Sequence, residues 1–244
     1  MNTGPTMRRI STAVVAGAAA VAVLAPAASA ATAAPSAPAA VAGVQAEAAA
    51  KKLTVSGYVS YLKTSRKPEA KQTLAQFNKL PQAKKVKFVN YLQNRGVYTA
   101  LTASMKGTVN RDLRVVTPYN ADVNFLKTVR TVQGKDKQRT TTVTFTVTER
   151  IYGIPVTSEQ VSVKYQAKAA KPGSFVRGEA KVTNVNAAIG VIAGKIEARK
   201  VIGGYLAGTR WTATPNYQSF GKKVIKDQNV TSGSGYWKAI LANR

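Results

Sequence analysis

The stretch "TTTVTFTVTERIYGIPVTSEQVSVKYQAK", residues 140–168, carries the clearest strand pattern in the chain. Apolar residues occupy every second position from Val143 to Val147, and threonines fill the positions between them. After the pair Tyr152-Gly153 the alternation returns from Val161 to Ala167. Because successive side chains of a strand point to opposite faces, this pattern predicts two strands of a half-buried sheet.

The chain after residue 107 keeps this character. Runs of valine, threonine and aromatic residues are separated by the turn-forming segments "TPYNAD", "QGKDK", "KAAKPGS", "TPNYQS" and "TSGSG". Short strands with such turns predict a mainly antiparallel β-sandwich of about eight or nine strands over residues 107–244. We expect the valine and aromatic side of residues 140–168 to face inward and the threonine and lysine side to face solvent.

One segment of this region, Ala187–Gly204, has a second interpretation. Gly190 and Gly194-Lys195 look like part of a phosphate-binding loop. The glycine spacing is one residue short, however, and Ile196 stands where Ser or Thr should bind magnesium. We therefore interpret the segment as one long strand of small and β-branched residues.

Residues 51–106 predict a short helical unit. Pro68 suits the first turn of a helix, Pro81 separates two helical segments, and Gly96 is a natural end cap. Basic residues line the polar side, so the unit could lie on an acidic membrane or pack on a neighbour. Helices of about three turns are unstable alone, which favours packing. The apolar stripes are Leu74, Phe77 and Leu80, then Val86, Val89 and Leu92, with Phe88 beside them.

The first thirty residues have the three parts of a secretory signal peptide: the basic pair Arg8-Arg9, the apolar run "TAVVAGAAAVAVLA", and small residues at Ala28-Ser29-Ala30. A membrane anchor needs about 20 strongly apolar residues, whereas this run is shorter and ends at Pro26. We therefore expect secretion to the extracellular space with cleavage after Ala30. Residues 31–50 are rich in Ala and Pro, which predicts a disordered leader.

These segments together predict an α+β fold, with a short N-terminal helical unit followed by a mainly antiparallel β-sandwich. The predicted boundaries are 1–30 for the signal peptide, 31–50 for the leader, 51–106 for the helical unit and 107–244 for the sandwich. The chain has no cysteine, so apolar burial rather than disulfide bonds must hold the fold. No second apolar run of membrane-spanning length follows, so we expect a soluble mature chain.

The chain is strongly basic. Removal of the signal peptide takes away two arginines and no acid, so the 36 basic and 10 acidic residues leave a mature net charge of +24. A surface of this sign associates with polyanions in a salt-dependent way. We expect an anionic cell-surface polymer as partner, then an acidic membrane surface, with nucleic acid bound only non-specifically. The alternative is a charge that serves solubility alone.

Histidine is absent from the sequence. Its absence excludes serine–histidine and cysteine–histidine catalysis, the usual zinc-ligand sets and the commonest general base near neutral pH. Two carboxylates could still act together, but the acids are scattered along the chain. We therefore predict no catalytic residue, no metal site, no cofactor and no enzymatic activity. The acids considered are Asp112, Asp122, Asp136, Glu149, Glu159, Glu179, Glu197 and Asp227.

The last third of the chain collects aromatic and basic residues that could form a binding surface. Aromatic rings among cations suit stacking on sugars or bases, together with ion pairs to phosphate. The alternative is that the aromatics belong to the core and the cations to an ordinary surface. The candidate binding residues are Arg210, Trp211, Tyr217, Lys222, Lys223, Lys226, Tyr236 and Trp237, with "TSGSGYW" as a flexible loop.

The segment "FNKLPQAKKVKFVNYL", the segment "IYGIPVTSEQVSVKY" and the preceding signal peptide with its Ala/Pro leader occur in a familiar order. In this order the chain resembles exported actinobacterial proteins of undetermined function, which combine a helical N-terminal unit with a β-sandwich. The resemblance implies a secreted β-sandwich and carries over no catalytic residues.

Three functions are consistent with these features. We predict a secreted, highly basic, non-enzymatic binding or structural protein that engages anionic surfaces such as cell-wall polymers. A cationic membrane-active or antagonistic protein acting through the helical unit is the first alternative. A hydrolase that works without histidine is the second.

Overall fold

A computed structural model describes residues 52–134, 140–168 and 171–244 of the chain. The signal peptide and leader predicted for residues 1–50 lie outside this part. The described residues form a helical segment followed by two antiparallel sheets, which confirms the predicted α+β class. They belong to one compact unit, and their buried apolar residues form one continuous core.

Four short helices lie at the N-terminal side of the described region, and local capping explains where they begin. The Thr54 hydroxyl accepts a hydrogen bond from the Gly57 amide at 3.1 Å, and the Asn94 side chain accepts one from the Gly96 amide at 2.9 Å. Pro68 occupies the first turn of its helix, as predicted. The helices are α1 (Val55–Thr64), α2 (Pro68–Asn78), α3 (Gln82–Leu92) and α4 (Arg95–Ala100).

The apolar sides of the first three helices pack on one another. The Phe77 ring lies 5.2 Å from the Tyr58 ring and 5.1 Å from the Phe88 ring, centroid to centroid, and both pairs are edge-to-face. One detail of the predicted stripe is wrong: Val86 is 44% exposed, and Phe88 is buried instead. The helices therefore pack as expected, with α3 rotated relative to the predicted stripe.

The six-stranded sheet, called sheet A, has the order β1-β11-β10-β9-β7, and β8 also pairs with β9. The N-terminal half of β9 pairs with β8, and its C-terminal half pairs with β7. The strands are β1 (Ala103–Thr108), β7 (Ile189–Ala193), β8 (Glu197–Val201), β9 (Gly204–Pro215), β10 (Val224–Gly233) and β11 (Tyr236–Asn243), with a 3-10 turn at Gln218–Phe220 between β9 and β10.

The five-stranded sheet, called sheet B, has the order β2-β3-β4-β5-β6, and every neighbouring pair is antiparallel. The strand pair predicted from residues 140–168 is its β4–β5 hairpin, with Tyr152 and Gly153 at positive φ in the turn. Phe145 and Val161 are fully buried, while Thr144 is only half-buried. The predicted inward side is thus confirmed, whereas the opposite side is only partly exposed and its Ser162 is buried. The strands are β2 (Leu113–Pro118), β3 (Val123–Gln133), β4 (Thr140–Ile151), β5 (Ile154–Lys168) and β6 (Lys171–Asn184).

The predicted sandwich differs from the structure in three details. The described residues contain eleven strands rather than eight or nine. The first strand, β1, begins at Ala103, inside the segment predicted to be helical, because it pairs with the distant strand β11. Ala187–Gly204 is not one long strand, since Gly194 separates β7 from β8 and its amide bonds to the Arg210 carbonyl at 2.7 Å. The second and third differences arise from contacts with segments farther along the chain.

Gly107 lies in the edge strand β1, and Gly190 lies in the edge strand β7. The two glycines differ in how much space a side chain would have at each position. A Cβ on Gly107 would lie 2.5 Å from Cζ2 of the buried Trp237, whereas a Cβ on Gly190 meets nothing closer than 3.9 Å. We expect Gly107→Ala to lower the free energy of unfolding by about 1–3 kcal/mol because the indole must move. Gly190→Ala, the matched control, should leave it nearly unchanged. Urea unfolding measures both, and equal stabilities would show that Trp237 does not pack on β1.

Candidate functional site

Three of the eight predicted binding residues do not face solvent. Trp211, Trp237 and Lys226 are each 1% exposed or less. The Trp211 indole donates to the Gln228 side chain at 2.7 Å, and the Trp237 indole donates to the Thr108 carbonyl at 2.9 Å. For these residues the core interpretation applies, because their strand positions point into the sandwich.

Among the other five predicted residues, Tyr236 lies far from Lys222 and Lys223. Lys222 and Lys223 are exposed just before β10, while Tyr236 begins β11 beyond the far end of β10, about 30 Å away at the rise of ten strand residues. Tyr217 is half-buried against the core. The Arg210 side chain pairs with Asp227 at 3.1 Å. The structure therefore does not bring the predicted residues into one surface.

Positive charge is concentrated instead on the helices. We call the exposed surface of residues 52–100 the basic cap, because this segment has ten Lys and Arg residues and one acid, Glu69. None of these ten cations has a carboxylate of the described residues within 4.0 Å. The three ion pairs among the described residues involve Arg177, Arg210 and Arg244, which all lie outside the cap. The charge of the cap is available to an external anion.

The helices of the basic cap have no free apolar side. Tyr58, Phe77 and Leu92 are fully buried, and the Asn186 side chain donates to the Leu92 carbonyl at 3.0 Å, which ties α3 to the sandwich. No helix among the described residues has the length and apolar content to cross a bilayer. Surface charge, rather than an apolar stripe, is what the cap presents to solvent.

Three tyrosines lie beside the basic cap, and sequence reasoning missed them. We call Tyr91, Tyr119 and Tyr152, together with Asn120 and Asp122, the tyrosine cluster. The hydroxyls of Tyr91 and Tyr152 both donate to Oδ2 of Asp122, each at 3.0 Å. Tyr119 is 41% exposed and packs its inner side near Phe125. The cluster joins α3, the loop after β2 and the β4–β5 turn.

The backbone holds the tyrosine cluster in place. The Asn120 side chain accepts hydrogen bonds from the amides of Asp122 and Val123 at 2.9 and 2.8 Å, which closes the loop. Tyr152 has φ of 50°, in the left-handed region that favours glycine, and its amide bonds to the Asp122 carbonyl at 2.7 Å. The turn segments "TPYNAD" and "IYGIP" were the available sequence signals, but nothing in them predicts that they meet.

Asp122 also affects the tyrosine hydroxyls electrostatically. Partial burial, the hydrogen bond to Asp122 and the negative charge of Asp122 raise the pKa of Tyr152 to about 12, and the same causes raise the pKa of Tyr91. Both hydroxyls therefore stay protonated at neutral pH and donate hydrogen bonds to Asp122.

A second polar group lies between the sheets and the cap. We call Lys226, Tyr98, Glu149 and Glu159 the buried charge cluster, since each residue is 1% exposed or less. The Lys226 ammonium donates to the carbonyls of Tyr98 and Leu101, at the C-terminal end of α4, and lies 4.2 Å from the Tyr98 ring centroid. The Tyr98 hydroxyl donates to Glu159.

Burial sets the protonation of this cluster. It raises the pKa of Glu149 to about 8, although the Lys226 ammonium acts in the opposite direction. Burial also raises the pKa of Glu159, although the Lys226 charge and the Tyr98 hydrogen bond act to lower it. Burial lowers the pKa of Lys226 to about 8, although the two carboxylates act to raise it. The Oε2 atoms of both glutamates have no hydrogen-bond partner among the described residues. Glu149 and Lys226 therefore both change between charged and neutral forms near pH 8.

Two carboxylates thus converge, as a hydrolase without histidine would require, but they do so inside the core. The alternation of the sequence could have located them, because Glu149 is in phase with Val147 and Glu159 is in phase with Val161. A separate cleft of about 120 Å³ between α2 and β5 contains Glu69 and Thr157. It is smaller than the ligand pockets of about 300–1,000 Å³ found in enzymes. Among the described residues no three carboxylates form a metal-binding group.

Comparisons with protein-family models, with curated proteins and with solved structures gave no match for this chain. The resemblance to exported actinobacterial proteins stays a prediction from short sequence segments.

Glu149→Gln tests the cost of the buried carboxyl. Because the folded-state pKa is raised from 4.5 to about 8, the folded chain binds more protons than the unfolded chain between these pH values. The wild type therefore loses stability as the pH rises from 5 through 8. Above pH 8 the lowered pKa of Lys226 increases stability with pH, and it does so in both proteins. We expect the variant to match the wild type at pH 5 and to be more stable by roughly 2–4 kcal/mol at pH 9.

Urea unfolding across this pH range measures the effect. Glu179→Gln is the matched control, because the Glu179 side chain is 65% exposed, and it should leave the pH profile unchanged. Identical profiles for wild type and Glu149→Gln would contradict the raised pKa.

Proposed function

We propose that this protein is a secreted, non-enzymatic binding protein that holds an anionic cell-surface polymer through the basic cap. The observation that carries the proposal is the concentration of ten cations and one acid in residues 52–100, with no carboxylate of the described residues within 4.0 Å of any of these cations. An unpaired cationic surface of this density attracts polyanions and releases them in salt. Secretion is supported by the signal-peptide pattern of residues 1–30.

The basic cap supports this function better than the C-terminal residues do. The cap exposes Lys63 near the end of α1, Lys71 in α2 and Lys79 directly after α2. In the C-terminal third, Lys222 and Lys223 are exposed. Arg210, however, is already paired with Asp227, and Lys226 is buried. A polymer with repeated negative charges can contact several helices of the cap at once, and such multiple weak contacts add to one another.

The packing of the helices favours binding over membrane insertion. The aromatic rings that a membrane-active helix would insert, such as Phe77 and Phe88, lie in the core. A helix that lies in a bilayer interface needs a free apolar face beside its cationic face. The cap offers the cationic face alone, so an anionic polymer in water is the better partner.

Charge removal on the cap tests the proposal. The variant Lys63→Gln, Lys71→Gln, Lys79→Gln is compared with Lys106→Gln, Lys200→Gln, Lys238→Gln, which removes the same charge from exposed positions of sheet A. Residues 31–244 of each protein are sedimented with bacterial cell walls, before and after removal of the anionic wall polymers, across a salt series. We expect the cap variant to bind the cell walls more weakly. The slope of log K, the binding constant, against log salt should fall by about 2, because each lost contact between a lysine and a polymer charge removes roughly 0.7.

The sheet A variant should keep nearly the wild-type slope. Equal losses in the two variants would show that the whole surface attracts the wall without a defined site. Binding that persists after the anionic polymers are removed would also overturn the proposal.

A further inference from the structure

The tyrosine cluster and the basic cap share helix α3. Lys84, Lys87 and Tyr91 follow one another at spacings of three and four residues, which places them along one face of the helix. The Lys84 ammonium lies 5.3 Å from the centroid of the Tyr152 ring. A ligand on the tyrosine cluster therefore meets cations at its edge.

The hydrogen bonds inside the cluster decide what kind of group it can recognise. The Tyr152 hydroxyl donates to Asp122, so its oxygen presents lone pairs to a ligand. The Tyr91 hydroxyl also donates to Asp122, but its oxygen already accepts a hydrogen bond from the Asn120 side-chain amide at 3.5 Å. The Asp122 carboxylate also accepts only. The Asp122 carboxylate and the Tyr152 oxygen thus favour hydrogen-bond donors over groups that can only accept, such as phosphate or a free carboxylate.

We infer that the tyrosine cluster is a sugar subsite that binds one unit of an acidic glycan, with the ring on Tyr119, its hydroxyls on Asp122 and its anionic group on Lys84. A pyranose has an apolar C–H face that packs on an aromatic ring and hydroxyls that donate to acceptors. The inference rests on the proposed function, since it names the class of anionic polymer that the basic cap holds.

The placement of the charges makes an acidic glycan a better ligand than a polymer of phosphate alone. Phosphate oxygens suit the cations of the cap, but they have no donor for Asp122. An acidic sugar carries both kinds of group a few ångströms apart, which matches acceptors at the centre of the cluster and Lys84 at its edge.

The cluster is held in shape before any ligand arrives. The left-handed backbone of Tyr152 is fixed by its bond to the Asp122 carbonyl, and the loop of Asn120 is closed by its own side chain. Binding to such a surface costs little ordering entropy. The single exposed ring, Tyr119, then decides how well a sugar is held.

Tyr119→Ala is the decisive variant, and Tyr236→Ala is its matched control, because both side chains are 41% exposed and Tyr236 lies outside the cluster. Full-length mature protein, residues 31–244, is titrated with three probes: polygalacturonate, which is a linear polymer of an acidic sugar; polyphosphate; and single-stranded DNA. We expect Tyr119→Ala to weaken polygalacturonate binding about tenfold, in the range found for loss of one stacked ring, and to change polyphosphate binding less than about twofold. Tyr236→Ala should change neither.

A second variant removes a hydroxyl and keeps the ring. Tyr152→Phe removes the hydroxyl oxygen that would accept from the sugar and should weaken polygalacturonate binding about threefold, with polyphosphate unaffected. Circular dichroism of each variant checks that the fold is retained.

The outcomes separate this inference from the proposed function. If wild type binds neither anionic polymer, the proposed function fails and the sugar subsite fails with it. If wild type binds both polymers and Tyr119→Ala binds polygalacturonate normally, the basic cap acts as proposed and the sugar subsite is overturned. An equal loss for single-stranded DNA and polygalacturonate would assign the cluster to ring stacking in general and would also overturn it.

Discussion

The ammonium group of Lys226 joins the three parts of this protein at one point. It lies on β10 of sheet A, donates to the carbonyls of Tyr98 and Leu101 at the end of α4, and attracts Glu149 and Glu159 of sheet B. A buried ammonium is stable only where hydrogen-bond acceptors and opposite charge surround it. The helices and both sheets therefore keep one arrangement around this group.

That arrangement determines the surface as well as the core. Tyr91, Asp122 and Tyr152 come from a helix, a loop and a turn, and they meet only because the helices are fixed at one end of the sandwich. The same packing buries the apolar rings of the cap and leaves its cations outside. An interior with buried charges is thus joined to an exterior in which positive charge and aromatic rings lie side by side.

Sequence alternation predicted the β4–β5 hairpin well, because a half-buried strand repeats its environment every two residues. The same alternation places Glu149 in phase with Val147, yet a charged residue in the core is rare enough that it is not expected there without a partner. Lys226 was predicted to be on the surface for this reason. The partner that makes its burial acceptable, the C-terminal end of α4, is more than a hundred residues away in the chain.

The sequence by itself determined the α+β class, the presence of a short helical unit, the inward side of the central hairpin and the excess of positive charge, since each follows from composition or from local periodicity. The tertiary structure alone decided which aromatics are buried, where the cations concentrate and which tyrosines share Asp122. These features depend on contacts between segments such as α3 and the β4–β5 turn. Local periodicity specifies which way a side chain points from its own strand or helix, and it carries no information about the distant segment that the side chain meets.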